Sequence, residues 1–292
     1  MNLFNYATSN VITIAPSSSI DHAISLMEEH DVHHLVVVQA GRVVGMVSDR
    51  DILISTGWML SVERKNEGAE ICGSELVGPS TVREIMSTPA ICLDMHETAS
   101  QAAIQMLEHK ISALPIVDGG KLLGIMTDSD LVKWLDALGE AQMGVSRFLS
   151  QSVSALMRAN VVTATPETLL IDITDLFRRR RIRHIPVLDG GVVAGMISDR
   201  DVRRSIGWSS IRDLQSEFGS QTIALSGVSV ATARDIMQTK VYWIPKSSRL
   251  GECLKLMLSH HVHSLPVMDA GNLVGIITHT DFVKAIAHQE LL

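Results

Sequence analysis

Four stretches of the chain repeat apolar residues at i, i+3, i+4 and i+7, the spacing that lays one stripe along an α-helix. They are Ile20, Ala23, Ile24 and Met27; Ala99, Ala102, Ala103 and Met106; Leu170, Ile173, Thr174 and Phe177, with a threonine in one slot; and Leu250, Cys253, Leu254 and Met257. A short β-prone run precedes each stripe: Val11-Ile-Thr-Ile, Ala90-Ile-Cys-Leu, Val161-Val-Thr-Ala and Val241-Tyr-Trp-Ile. Two further apolar runs follow each helix, joined by a glycine-bearing turn at Gly41, Gly119-Gly120, Gly190-Gly191 or Gly271. Glycine takes positive φ without a Cβ penalty, so these turns read as β-hairpins. The second hairpin strand is apolar at nearly every position, as expected of a strand covered on both faces. A last helix opens after it, and each unit reads β-α-β-β-α.

The end of each hairpin repeats most faithfully. It runs Gly45-Met-Val-Ser48-Asp-Arg-Asp51, Gly124-Ile-Met-Thr127-Asp-Ser-Asp130, Gly195-Met-Ile-Ser198-Asp-Arg-Asp201 and Gly275-Ile-Ile-Thr278-His-Thr-Asp281. The spacing between copies alternates long, short, long, and the first and third copies continue into Gly57-Trp58 and Gly207-Trp208. The chain is therefore a duplicated pair. Unit one with its linker is expected over 1–80, unit two over 81–145, unit three with its linker over 146–232 and unit four over 233–292, giving pairs 1–145 and 146–292. A unit of about fifty residues buries too little surface to be stable alone, so pairing is expected. Segments 57–81 and 207–232 are too long for plain loops, and Ile211 to Phe218 suggests a short helix.

Composition narrows the function. With 46% apolar residues and 14 Met the chain is hydrophobic, yet no apolar run approaches the ~18 residues of a membrane span. Net charge of −7 opposes broad nucleic-acid binding, which needs a surplus of Lys and Arg. The start, Met1-Asn-Leu-Phe-Asn-Tyr, has no basic and apolar leader pattern. Cys72, Cys92 and Cys253 are too scattered for a disulfide framework or a zinc site, and Cys253 on a helix stripe and Cys92 in a strand read as buried thiols, so a cytoplasmic location is expected. His260-His261-Val-His263 has no cysteine or carboxylate beside it to complete a metal set, and no metal is expected. Arg178 to Arg181 read as a solvated helix end favourable to the C-terminal dipole, with an anion site or an acidic partner as the other reading. No nucleophile–base pair or G-x-x-x-x-G-K phosphate loop is present, which gives catalysis no visible seat.

The hydroxyl and aspartate of the motif have two readings. Their spacing is that of a helix N-terminus, where the hydroxyl caps a backbone amide and the carboxylate meets the positive dipole end. Aspartate is nevertheless short for a capping-box partner and stands there in every copy. A strand glycine just before it lets another group approach the backbone. A carboxylate on the first helical turn can also accept both hydroxyls of a ribose, while nearby amides face phosphate. Both readings can hold together.

The unit resembles the CBS domain, the β-α-β-β-α module named after cystathionine β-synthase, over 7–56, 82–136, 153–206 and 233–288. The whole is similar to two tandem Bateman modules, as in the gamma subunit of AMP-activated protein kinase, and the resemblance implies a mixed α/β (α+β) fold. It implies an adenine nucleotide, AMP, ADP or ATP, as regulatory ligand. The ribose would be held by Asp51, Asp130, Asp201 and Asp281, with Ser48, Thr127, Ser198 and Thr278 beside them. The base would face Val11, Ile12, Val47, Val161, Val162 and Ile197. Phosphate would meet His33, His34, Arg183, His184 and His263, with Arg50 and Arg200 from the motif loops. The second copy has Ser112-Ala113 where the others place a cation, and the fourth has His279 where the others have aspartate. Copies one and three, which share S-D-R-D, therefore rank first.

The expected protein is a non-enzymatic regulator that signals ligand state to an unidentified protein effector or through a homodimer built on the unit surfaces. A structural module with empty pockets and a sensor of S-adenosylmethionine are the alternatives. Histidines near their ordinary pKa of ~6.5 would strengthen nucleotide binding as pH falls from about 8 to 6.

Overall fold

The computed structural model describes residues 3–55, 79–139, 141–206 and 231–288. Unit one comprises β1 (Thr13–Ile14), α1 (Ile20–His30), β2 (His34–Gln39), β3 (Arg42–Ser48) and α2 (Asp49–Ser55). Unit two comprises a leading turn α3 (Val82–Ile85), β4 (Leu93–Asp94), α4 (Ala99–His109), β5 (Ala113–Asp118), β6 (Lys121–Thr127) and α5 (Asp128–Gly139). A helix α6 (Met143–Leu149) runs across the expected boundary between the pairs. Unit three has α7 (Leu170–Arg180), β7 (His184–Asp189), β8 (Val192–Ser198) and α8 (Asp199–Ile206). Unit four has α9 (Ala233–Ile236), β9 (Ile244–Pro245), α10 (Leu250–Ser259), β10 (Ser264–Asp269), β11 (Asn272–Thr278) and α11 (His279–Ala287). The mixed α/β class is as the sequence predicts, and units one, two and four keep the β-α-β-β-α order. Cys72, the two linkers and the Gly-Trp pairs lie outside the described residues, apart from the ends of the linkers.

All four predicted stripes are buried helix faces. The hairpins turn through two residues of positive φ, such as Ala40 (50°) with Gly41 (76°) and Gly119 (55°) with Gly120 (85°). That is the twist two antiparallel strands need. The first strands are shorter than the β-prone runs. Only Thr13–Ile14, Leu93–Asp94 and Ile244–Pro245 pair with the next strand, in parallel, and unit three keeps a single bridge, Ala164 to Val187. The leading residues of those runs, Val11 and Ile12 among them, face a cavity instead.

Within each pair the units exchange leading segments. The segment at Thr8 bonds to β6 of unit two through Thr8 N–H to the Ile125 carbonyl (3.0 Å) and its reciprocal (2.9 Å). Ser87, ahead of β4 in unit two, bonds to Met46 of β3 in the same way. Arg158 pairs with Ile276 and Gln238 with Met196 in the second pair. This explains the motif glycine. A Cβ on Gly195 would lie 2.6 Å from Met237 Sδ, one on Gly275 2.6 Å from Met157 Sδ, and one on Gly124 3.0 Å from the Thr8 carbonyl. The group that approaches the strand is thus the partner unit's crossing segment.

The pairs meet through their helices. One core joins units two and four, where α11 packs on α4 and α5 and α10 packs on α5. A second joins units one and three. Each unit therefore has one neighbour by segment exchange and another by helix packing, which arranges the four around a common centre.

Candidate functional site

That centre is a cavity of about 1590 Å³ bordered by all four units. Its chemistry starts from the four hairpin ends. In each, the backbone N–H and hydroxyl of the Ser or Thr both donate to Oδ2 of the motif aspartate: the N–H distances are 2.8 Å at Asp51, 2.9 Å at Asp130, 2.7 Å at Asp201 and 2.9 Å at Asp281. The cap thus consumes one carboxylate oxygen and leaves Oδ1.

What Oδ1 meets divides the units. Among the described residues, Oδ1 of Asp51 has no hydrogen-bond partner, and that of Asp201 accepts a neutral N–H from Gln238 at 2.9 Å. Oδ1 of Asp130 is paired with Lys133 at 3.0 Å, and that of Asp281 with Arg158 at 2.9 Å. Asp51 and Asp201 border the cavity; Asp130 and Asp281, 4% and 3% exposed, do not. Their hydroxyl partners Ser48, Thr127, Ser198 and Thr278 all border it. So do Val11, Ile12, Val47, Val161, Val162 and Ile197 at the expected base positions, and His33, His34, Arg50, Arg183, His184, Arg200 and His263 at the expected phosphate positions.

The basic groups are not equivalent. Burial pushes His34 and His184 down to about 4, and His263 and His279 down to about 3. These rings are neutral between about pH 8 and 6, so the expected gain of imidazolium charge over that range is corrected: desolvation outweighs the nearby carboxylates. Fixed positive charge comes from Arg50, Arg183 and Arg200. Arg200 donates to His263 Nε2 at 3.3 Å, and His34 Nε2 lies 3.4 Å from the hydroxyl of Ser112, the polar residue that replaces a cation in unit two.

Sequence reasoning passed over four groups. Asp49, directly after Ser48, is buried and accepts from His33 Nδ1 at 2.8 Å and from Arg203 of unit three at 2.9 Å. Burial raises its pKa, but that hydrogen bond and the guanidinium outweigh it and hold the carboxyl below its ordinary value. Arg203 also reaches Asp199 at 3.2 Å, tying the two pairs together beside the open carboxylates. The second and third groups are the crossing residues Arg158 and Gln238. Their signal was available: they occupy one offset before the first strand in every copy, with Thr8 and Ser87.

The fourth is a cluster of Asp128, His263 and His279, whose ligand-type atoms lie within 4.8 Å of one another. The carboxylate comes from unit two and the rings from unit four, so the sequence around His263 does not contain the set. His260 instead stacks on Tyr242 with centroids 3.9 Å apart. A guanidinium only donates, so its bond to His263 Nε2 places the neutral ring's proton on Nδ1, the atom 3.5 Å from the Ser129 hydroxyl. With that cation in place the centre suits an anion better than a metal ion. Arg178 and Arg179 border the cavity but pair with Asp175 at 3.1 and 2.7 Å. Burial raises the pKa of both described thiols, that of Cys253 to about 12. No helix among the described residues is long and apolar enough to cross a membrane.

A family model for the CBS domain matches residues 4–55, 82–137, 153–207 and 233–288. An uncharacterized protein of Methanocaldococcus jannaschii, MJ1225, is 25% identical over 284 residues, 95% of each chain. Its crystal structure superposes with a TM-score of 0.76 at 23% identity, over 98% of this chain and 100% of that one, which shows a shared fold. The CBS domain-containing protein YhcV of Bacillus subtilis is 34% identical over 124 residues, 42% of this chain and 78% of its own.

Proposed function

The chain belongs to the CBS family, with four units in two tandem pairs, and from the cavity they enclose we propose that it is a non-enzymatic regulator binding adenine nucleotides at units one and three. One observation carries this reading. Asp51 and Asp201 border the shared cavity, and each has a carboxylate oxygen that the helix cap leaves over and no cation among the described residues holds. Ribose hydroxyls donate to such an oxygen. Around it stand apolar strand residues able to enclose a base, and Arg50, Arg183 and Arg200, able to hold phosphate by charge-assisted hydrogen bonds. A sulfonium ligand such as S-adenosylmethionine would bring positive charge against the same guanidinium groups.

A ligand in unit one sits beside Asp49, and one in unit three beside Arg203, so the ion pair between them links both sites to the seam between pairs. A protein effector that reads this seam would receive the signal.

Mass spectrometry of small molecules released from freshly purified protein is expected to find AMP, ADP or ATP. In calorimetry, Asp51→Asn with Asp201→Asn should weaken AMP binding about tenfold or more, since a charged hydrogen-bond partner contributes roughly 1.5–3 kcal/mol. Unchanged affinity in the double variant, or tighter binding of S-adenosylmethionine than of every nucleotide, would overturn the assignment.

A further inference from the structure

The crossing segments place one residue of each unit against the hairpin of its partner in a single register. Thr8 lies opposite Ile125, Ser87 opposite Met46, Arg158 opposite Ile276 and Gln238 opposite Met196. The opposing residue always directly follows the motif glycine, so the four positions are structurally equivalent. They are chemically unlike: two hydroxyls, an amide and a guanidinium.

We propose that in the second pair this crossing residue sets whether the partner unit's ribose carboxylate is open to a nucleotide, and that Arg158 is a built-in cationic occupant closing unit four. The inference rests on the adenine-nucleotide reading above and assigns a selectivity-determining role to residues outside the motif. Arg158 Nε donates to Oδ1 of Asp281 at 2.9 Å, while Oδ2 is taken by Thr278. Both oxygens are then committed, and the carboxylate is withdrawn from the cavity wall. A ribose hydroxyl competing for Oδ1 is a neutral donor, whereas the guanidinium donates with charge assistance, roughly twice as strong.

The sister units supply the internal controls. Gln238 touches the same oxygen of Asp201 at 2.9 Å but is neutral, and that carboxylate stays on the cavity wall. Ser87 makes no such contact and leaves Oδ1 of Asp51 without a partner among the described residues. Unit two has a hydroxyl, Thr8, at the crossing position, and its carboxylate is instead filled by Lys133 of its own helix at 3.0 Å. The corresponding lysine of unit four, Lys284, stands off at 4.0 Å, the oxygen having gone to Arg158. Closure of unit four is thus a property of the exchanged segment.

The test uses the full chain and AMP. In an Asp51→Asn, Asp201→Asn background, calorimetry reports the even units without the odd ones. Arg158→Gln and Arg158→Ser, which install the residue types of the sister units, are each made with Lys284→Ala so that this lysine cannot take the freed oxygen as Lys133 does in unit two. Each is expected to create a binding event at least about tenfold tighter than the Lys284→Ala background shows. Adding Asp281→Asn should abolish it, and Arg158→Lys should leave the site closed. If Arg158→Ser unfolds, Arg158→Gln retains a donor to Asp281 and answers the question alone. No gain, or weaker binding on losing Arg158, overturns the gate. The unmodified protein in the same series separates the two ideas: AMP binding there with no gain in the variants sinks only the gate, and no binding by any protein sinks the nucleotide reading with it.

Discussion

Units one and three and units two and four share a fold and a motif but dispose of the same carboxylate in opposite ways. In the odd units the cap takes Oδ2, no cation among the described residues takes Oδ1, and the aspartate borders the cavity. In the even units a cation takes Oδ1 and the side chain disappears from the cavity wall. The motif alone therefore makes a helix N-terminus, and the neighbours of its second oxygen differ between the odd and even units.

The centre that these units share should fail first in acid. His34, His184, His263 and His279 have folded pKa values of about 4 or 3, below the ~6.5 of an unfolded chain. Between those values the unfolded state binds more protons, so stability is full above about pH 6.5 and is lost as pH falls toward 4. Each ring contributes up to about 1.4 kcal/mol per pH unit in that window, for a summed loss of several kcal/mol. Denaturant titrations at pH 7.5, 5.5 and 4.5 would measure it. His279→Asn and His34→Asn should each flatten the profile. An acid profile as steep in both variants as in the parent would overturn this account.

The two helix seams offer the next contrast. Phe282 is fully buried in the core of units two and four, and Phe282→Ala should cost roughly 3–5 kcal/mol. The seam of units one and three adds the Asp49–Arg203 pair to its apolar core. Arg203→Ala removes a partner from a buried carboxylate and should cost about 3 kcal/mol, tempered by the hydrogen bond from His33. Chemical denaturation reads both. Arg203→Ala should also disturb AMP binding, since its partner follows Ser48, whereas Phe282→Ala should leave the odd sites alone.

The parts legible in the sequence were those carried by local spacing. Helix stripes, glycine hairpins and the pairing of copies follow from periods of a few residues, and S-D-R-D singled out the odd units. What escaped was set by long-range contact. That the motif glycine makes room for Met237 or Met157 needs the exchanged segment in place. That His34 is neutral needs its burial, and that Asp281 is closed needs Arg158, which lies far from it in the chain. The shortened first strands have a similar cause: Val11 and Ile12, named for the base, also read as ladder residues, and the parallel register begins only at Thr13.

The smallest effect is the most discriminating. Ser198 and Thr278 make the same two donations to the Oδ2 of their aspartates. Replacing either with alanine removes the hydroxyl and keeps the backbone donor, so each variant should lose about 0.5–2 kcal/mol of stability without ligand. Their behaviour with AMP should differ. In unit three the hydroxyl steadies a carboxylate whose other oxygen faces the cavity, so Ser198→Ala should also weaken binding and reduce the melting-temperature gain, which follows RT ln(1+[L]/Kd). In unit four that oxygen belongs to Arg158, so Thr278→Ala should melt lower yet keep the full gain. Thermal melts of both variants with and without AMP suffice. Equal gains would make both hydroxyls caps alone, and a reduced gain in Thr278→Ala would mean that unit four binds despite its guanidinium.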